Sequence, residues 1–123
     1  NNNLQEITIP SSIKSIGEKA FYCCYSLTNV VMAEGLTDIG EYAFYCTSLE
    51  DINIPNSVKT IADSAFSSCE SMRSVTIGNN VTKIERYAFD NCGQLTTVNW
   101  NATNCSSAGS IFKKCSKIYF FFF

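Results

Sequence analysis

The sequence predicts an α/β-type repeat solenoid, built from short parallel strands joined by turns and short helical or 3₁₀ segments. Three observations predict this fold. Phenylalanines preceded by alanine or isoleucine recur every 22 or 23 residues. Leucine-like residues at a second position keep the same step, and further aliphatic residues follow most of them at +3 and +5. Copies of one unit that share so many apolar positions form a core only by stacking on one another.

The repeat divides the chain into five coils and a partial sixth, which together form one array over residues 1–123. The coils are residues 4–26, 27–48, 49–71, 72–94 and 95–117, and the sixth strand is residues 118–123. The second coil is one residue short, and its sequence places the gap between Phe44 and Cys46. We expect the array to be part of a longer protein.

Each coil begins with a predicted strand. In LQEITI, residues 4–9, apolar and polar residues alternate, which is typical of a strand with one buried face. Pro10 in the first coil and Pro55 in the third end the strand and turn the chain. IKSIG, residues 13–17, predicts a second short strand, and EKAF, residues 18–21, predicts a helical or 3₁₀ turn. Strands of successive coils should pair in parallel about 4.8 Å apart.

The fifth coil departs from this pattern. Asn104 and Ser107 occupy positions that are apolar in other coils, and Ile111 replaces the alanine before Phe112. We therefore expect residues 101–110 to form a looped variant of the coil.

The aromatic end of the chain, YFFFF, is a predicted edge strand. The repeat aligns Phe121 and Phe123 with Val98 and Trp100 of the preceding coil. An uncovered, apolar edge strand favours pairing with another chain. Tyr119–Phe123 is therefore the candidate segment for self-association.

The unit LxxIxIPxSVxxIGxxAFxxC closely resembles the leucine-rich repeat of the BspA-like class, found in surface proteins of anaerobic bacteria and some protists. The resemblance covers residues 4–117, and it is specific because the IP turn and the IG, AF and Cys positions recur in register. It implies a leucine-rich repeat array located outside the cell or on its surface. It also implies a non-catalytic adhesion or recognition module that binds host or matrix protein. A structural spacer and a carbohydrate-binding region are the alternatives.

The composition argues against several other functions. The chain contains no histidine, which excludes histidine general bases, Cys-His pairs and imidazole metal ligands. A net charge of −2 without any run of Lys or Arg argues against nucleic acid as a partner. No stretch approaches the roughly 20 apolar residues that cross a bilayer. The N-terminal NNNLQEITI has none of the features of a signal peptide.

Five of the seven cysteines follow the repeat phenylalanine by two or three residues. This predicted structural ladder consists of Cys24, Cys46, Cys69, Cys92 and Cys115. One cysteine per coil does not match the paired spacings of zinc sites, so we predict no metal. We interpret these cysteines as small buried residues, with an occasional disulfide as the main alternative. Cys23 and Cys105 lie off the ladder, and Cys23 is the candidate reactive thiol.

The outward positions of the strands form the candidate ligand-binding face. Alternation along each strand places these residues in two rows across the sheet. They are Glu6, Thr8, Asn29, Val31, Asp51, Asn53, Ser74, Thr76, Thr97 and Asn99. Repeat proteins commonly bind ligands with such an extended surface, and an ordinary solvated sheet surface is the alternative.

The carboxylates do not predict an active site. Glu50 and Asp51 are neighbours on a predicted strand, so their side chains should point to opposite faces. Other carboxylates, such as Glu18 and Asp63, recur near the same turn of each coil, whereas catalysis needs one particular constellation. We predict that the chain is not an enzyme and holds no cofactor.

Overall fold

A computed structural model describes residues 3–107 and 110–122, which form a parallel solenoid of short strands. The first strands of successive coils are β1 (Glu6–Ile9), β3 (Asn29–Met32), β5 (Asp51–Asn53), β7 (Ser74–Ile77), β9 (Thr97–Trp100) and β11 (Tyr119–Phe122). The second strands are β2 (Ser15–Ile16), β4 (Asp38–Ile39), β6 (Thr60–Ile61), β8 (Lys83–Ile84) and β10 (Ser106–Ser107). The predicted fold class is confirmed, including parallel pairing of each strand with its equivalent in a neighbouring coil.

The two sets of strands form two sides of the solenoid. The second strands make one continuous sheet in the order β10-β8-β6-β4-β2. The first strands are divided: β1 pairs with β3, and a separate sheet runs β11-β9-β7-β5. No pairing joins β3 to β5 in the part of the chain that the structure describes.

The third side of each coil consists of turns, where the sequence predicted helical or 3₁₀ segments. In the first coil, the Ala20 N–H donates to the Gly17 carbonyl at 3.2 Å, which closes a turn. Lys19 and Cys23 have positive φ angles of 57° and 56°, and these left-handed residues prevent a continuous helix. No helix in the described residues is long and apolar enough to span a membrane.

Backbone hydrogen bonds also join the coils along this turn side. The Phe21 N–H donates to the Ala43 carbonyl at 2.8 Å, and the Phe44 N–H donates to the Ala65 carbonyl at 2.7 Å. The same bond recurs between Phe66 and Ala88 at 2.7 Å. Stacking therefore satisfies backbone groups on all three sides, which explains why an array is needed to form each coil.

The core is a column of side chains that repeat from coil to coil. Five phenylalanine rings stack with centroid separations of 5.2, 5.2, 5.1 and 5.6 Å and with interplanar angles no larger than 18°. They are Phe21, Phe44, Phe66, Phe89 and Phe112. The leucine-like residues of the inner coils, such as Leu49 and Met72, are fully buried beside them. Stacked rings and aliphatic side chains thus form one continuous hydrophobic core.

The corner after β3 needs a glycine. Gly35 has a φ of 121°, which L-residues rarely adopt. A Cβ at this position would lie 2.5 Å from the carbonyl oxygen of Ser11 in the preceding coil. The first two coils therefore approach each other more closely at this corner than any side chain would permit.

The fifth coil keeps its second strand, although its apolar pattern is lost. Residues 101–110 were expected to loop, but β10 lies within them and pairs with β8. The Ser106 N–H donates to the Thr82 carbonyl at 2.9 Å. Backbone pairing therefore continues where the side-chain pattern ends.

The register of β11 differs from the predicted one. Phe120 pairs with Val98 and Phe122 pairs with Trp100, one residue earlier than the repeat indicates. The prediction that Phe121 takes the Val98 position is therefore wrong. Phe123, the last residue of the candidate self-association segment, lies outside the described residues.

Candidate functional site

The strand register places the ten predicted face residues in two rows on the outer side of the first strands. In the first two coils Glu6 lies opposite Asn29, and Thr8 lies opposite Val31. The remaining six align in the same way across β5, β7 and β9. Each is exposed or half-buried, whereas nearly all residues between and beyond them in the strands are buried.

The rows are interrupted between β3 and β5, and two features of the sequence account for the break. The second coil is one residue shorter than its neighbours, so the residues at its end do not keep the 23-residue step of the repeat. In addition, Ala33 donates its N–H to the Ile9 carbonyl at 3.0 Å, and Asn101 donates to Ile77 at 3.0 Å. Pro55 holds the equivalent position in the third coil and has no N–H to donate to the second.

A cleft of about 280 Å³ lies at this break. Its lining residues are Asn29, Val30, Val31, Met32, Asp51, Ile52, Asn53, Ser74 and Thr76. Six of the ten predicted face residues are therefore brought together, while Glu6, Thr8, Thr97 and Asn99 lie on the same face outside the cleft. The sequence predicted the face but not the cleft.

The cleft combines buried aliphatic side chains with polar groups at its edge. Val30 and Ile52 are buried core residues, and Val31 presents an apolar side chain that is 52% exposed. Across from it, the Ser74 hydroxyl donates to Asp51 Oδ1 at 2.7 Å, which fixes the orientation of that carboxylate. An apolar centre with oriented polar groups can accept a side chain of a partner and hydrogen-bond its surroundings.

One guanidinium joins the two neighbouring carboxylates at the edge of the cleft. Arg73 Nη2 lies 3.2 Å from Glu50 Oε1 and 3.6 Å from Asp51 Oδ2. The prediction that Glu50 and Asp51 point to opposite faces is therefore wrong, because β5 begins only at Asp51 and strand alternation does not extend to Glu50. All three side chains are mostly exposed, so the pairs contribute little to stability.

A side-chain clip joins the second and third coils at the corner next to the cleft. Glu34 accepts hydrogen bonds from the Asn56 and Ser57 N–H groups at 3.0 and 2.9 Å. The Ser57 hydroxyl accepts from the Gly35 N–H at 2.9 Å and donates to the Leu36 carbonyl at 2.7 Å. These bonds join the two coils whose first strands do not pair. Sequence reasoning missed this clip, although Glu34 is the only acidic residue at its repeat position.

Cys46 does not belong to the predicted cysteine ladder. Its N–H donates to the Ser67 carbonyl at 3.0 Å and its φ is 60°, which is the geometry of Cys23 in the first coil. The ladder position of the second coil is Thr47, which is 4% exposed. The missing residue of this coil therefore lies between Thr47 and Leu49, and not before Cys46.

The corrected ladder has a hydrogen-bonding role as well as a packing role. The Cys69, Cys92 and Cys115 thiols donate to phenylalanine carbonyls of the preceding coil at 3.3, 3.3 and 3.0 Å. In the second coil, the Thr47 hydroxyl donates to the Phe44 carbonyl at 3.0 Å. A thiol must be protonated to donate in this way. Burial raises the pKa of Cys69 to about 12, so this thiol stays protonated at neutral pH.

Exposed Tyr22 and half-buried Tyr42 and Tyr45 form one cluster on the turn side of the first two coils. The rings of Tyr22 and Tyr45 stack at 5.1 Å, and Tyr42 meets Tyr45 edge-on at 5.4 Å. Lys19 Nζ lies 5.6 Å from the centre of the Tyr22 ring. The contacts of Tyr22 with Tyr45 and Lys19 reduce the ring surface left for sugar stacking.

A short polar ladder marks the second strands. Asp38 accepts hydrogen bonds from the Thr60 hydroxyl at 2.5 Å and from the Thr37 hydroxyl at 2.8 Å. These two hydrogen bonds lower the pKa of Asp38, and the bond from Thr60 has the larger effect. In residues 3–107 and 110–122, no three Cys, Asp or Glu side chains cluster in a way that could hold a metal ion.

The repeat geometry agrees with a family assignment. The family model of the BspA type leucine rich repeat region matches residues 1–119 of the chain, in six copies. The chain belongs to this family. A search of curated proteins found no match.

Solved bacterial structures share the solenoid. The chain is similar to the pneumococcal vaccine antigen PcpA, with a TM-score of 0.83 and 26% identity over 96% of this chain and 30% of that one. It is similar to the leucine rich repeat protein of T. pallidum, with a TM-score of 0.80 and 27% identity over 92% and 56%. A leucine rich cell surface protein from Faecalibacterium prausnitzii matches with a TM-score of 0.64 and 26% identity over 98% and 41%. The chain thus spans between about a third and just over half of these proteins.

Proposed function

We propose that the chain is a non-catalytic recognition module of a larger surface protein and binds a host or matrix protein. The cleft between β3 and β5 is the observation that carries the proposal. It interrupts an otherwise regular face and collects six of the ten outward residues at one place. The surface location is supported by the similarity of the chain to the leucine rich cell surface protein of F. prausnitzii.

A protein segment fits the chemistry of this cleft. An aliphatic side chain would pack on Val31 and the buried valine and isoleucine below it. Asn29 and Asn53 at the edge would supply donors and acceptors to the backbone of the segment. Because the cleft lacks aromatic anchors, we expect weak contacts that gain avidity when many repeats or molecules engage together.

Two other functions have less support. Sugar recognition by aromatic stacking would use the exposed Tyr22 and Tyr25, and of these Tyr22 is already in contact with Tyr45 and Lys19. A structural spacer would need no cleft. We do not propose nucleic acid as a partner, because the net charge is −2 and the charges are dispersed.

Binding screens with a charge-bearing variant test this proposal. Wild-type protein is applied to a panel of purified extracellular-matrix proteins and, separately, to a glycan array. Asn53→Arg with Thr76→Arg places two long cationic side chains at the cleft. Thr103→Arg with Asn104→Arg adds the same charge at exposed positions outside it.

We expect binding to a matrix protein that the cleft variant loses and the control variant keeps. Equal binding by both variants would contradict a role for the cleft. Binding only on the glycan array would replace the proposal with carbohydrate recognition, and no binding to either panel would favour the spacer function.

A further inference from the structure

Cys23 and Cys46 lie side by side on the turn side of the first two coils. Cys23 donates its N–H to the Tyr45 carbonyl at 2.8 Å, which places it on the rung next to Cys46. Both residues are left-handed, with φ angles of 56° and 60°. Serine, asparagine and lysine take this position in the next three coils, namely Ser68, Asn91 and Lys114. The pair is therefore a local feature of the first two coils.

The two thiols are close to each other and partly accessible. Both side chains are half-buried, in contrast to the fully buried Cys69 and Cys92. Burial, followed by the neighbouring Cys23 thiol, raises the pKa of Cys46. Rungs about 4.8 Å apart fall within the Cα separations that disulfides span.

We propose that Cys23 and Cys46 form a disulfide by exchange with an external low-molecular-weight disulfide. The thiolate of one cysteine attacks a sulfur of the external disulfide and displaces the first small thiolate. The second cysteine, as thiolate, attacks the resulting mixed disulfide and displaces the other. The two protons pass to the released thiolates, so two protein thiols are oxidised and one external disulfide is reduced to two thiols.

This bond would join the first coil covalently to the second. Surface and extracellular environments are oxidising enough for disulfides to persist. Cys69 and Cys92 would be spared, because they are buried and their thiols donate to backbone carbonyls. The proposal concerns only this pair and does not depend on which ligand the cleft binds.

Oxidised glutathione is the probe for this proposal. The fully reduced protein is incubated with it, and the intact mass, the peptide map and the number of thiols that react with Ellman's reagent are measured. We expect the loss of two hydrogens, one linked peptide pair containing Cys23 and Cys46, and two fewer reactive thiols. Oxidation should also raise the melting temperature.

Single variants separate this disulfide from other cysteine reactions. Cys23→Ser and Cys46→Ser should each abolish the linked peptide and the rise in melting temperature, and both should fold because Ser68 occupies the same position. Cys105→Ser, at the other half-buried cysteine off the ladder, should change neither result. A stable glutathione adduct on the wild-type protein, or a link through Cys105 or Cys115, would overturn the proposal.

Discussion

Replacing Cys46 and Thr47 by asparagine, one at a time, tests the corrected register of the second coil. Thr47 is 4% exposed, and its hydroxyl donates to the Phe44 carbonyl and lies 3.3 Å from Cys69 Sγ. Thr47→Asn loses a hydrogen bond worth about 1 kcal/mol and buries an amide at a cost of about 1–3 kcal/mol. We therefore expect a loss of about 2–4 kcal/mol in unfolding free energy.

Cys46→Asn should have almost no effect. The equivalent position in the fourth coil is Asn91, with a φ of 58° close to the 60° of Cys46. Asparagine tolerates this left-handed conformation better than most residues. We expect a change within about 0.5 kcal/mol, because the substitution lies outside the buried core and keeps the backbone hydrogen bond.

Urea unfolding in the presence of a reductant measures both variants. The reductant keeps Cys23 from forming a disulfide, and far-UV circular dichroism follows the loss of strands. Thr47→Cys is the matched control, because it restores the cysteine found at this position in other coils and should lose little stability. If Cys46→Asn lowers the midpoint more than Thr47→Asn, the register assigned to this coil is wrong.

Three further predictions follow from other contacts. Glu34→Gln should lower the unfolding free energy by about 1 kcal/mol, because it weakens two charge-assisted bonds to backbone N–H groups, while Glu6→Gln on the exposed face should not. The pKa of Asp38 is lowered in the folded protein, so its contribution to stability is present above its unfolded pKa near 3.8 and is lost as the pH falls further. Asp38→Asn should therefore destabilise the protein at neutral pH and not in strong acid. Urea titrations of the wild type and the variant at both pH values measure this difference. If Tyr119–Phe123 mediates self-association, the full chain should form dimers at high concentration, and a chain ending at residue 117 should be monomeric at the same concentration. Light scattering measures both, and a monomeric full chain would contradict this prediction.

Most of the fold could be predicted because the repeat leaves few alternatives. Equivalent apolar residues such as Phe44 and Phe66 recur at one step, and stacking alone can bury them. The turn side could not be predicted in the same way. Lys19 and Cys23 adopt left-handed φ angles because hydrogen bonds to the next coil hold them there. Neither residue type has a preference that predicts this conformation.

The misplaced gap shows where residue identity was a poor guide. Residue type aligns Cys46 with the other cysteines, yet backbone hydrogen bonds place it beside Cys23. The same short coil, together with Pro55, explains the cleft. Both features are visible in the sequence, but their effect on strand pairing depends on how neighbouring coils stack.

Affinity measurements on two single variants test the central proposal most directly. Val31 and Thr8 lie opposite each other on β3 and β1, and only Val31 lines the cleft. Val31→Glu and Thr8→Glu therefore add the same charge on adjacent strands of one face. Biolayer interferometry would compare both with the wild type against the matrix protein found in the screen. We predict that Val31→Glu weakens binding by at least about tenfold and that Thr8→Glu changes it less than about twofold; equal effects would contradict recognition through the cleft.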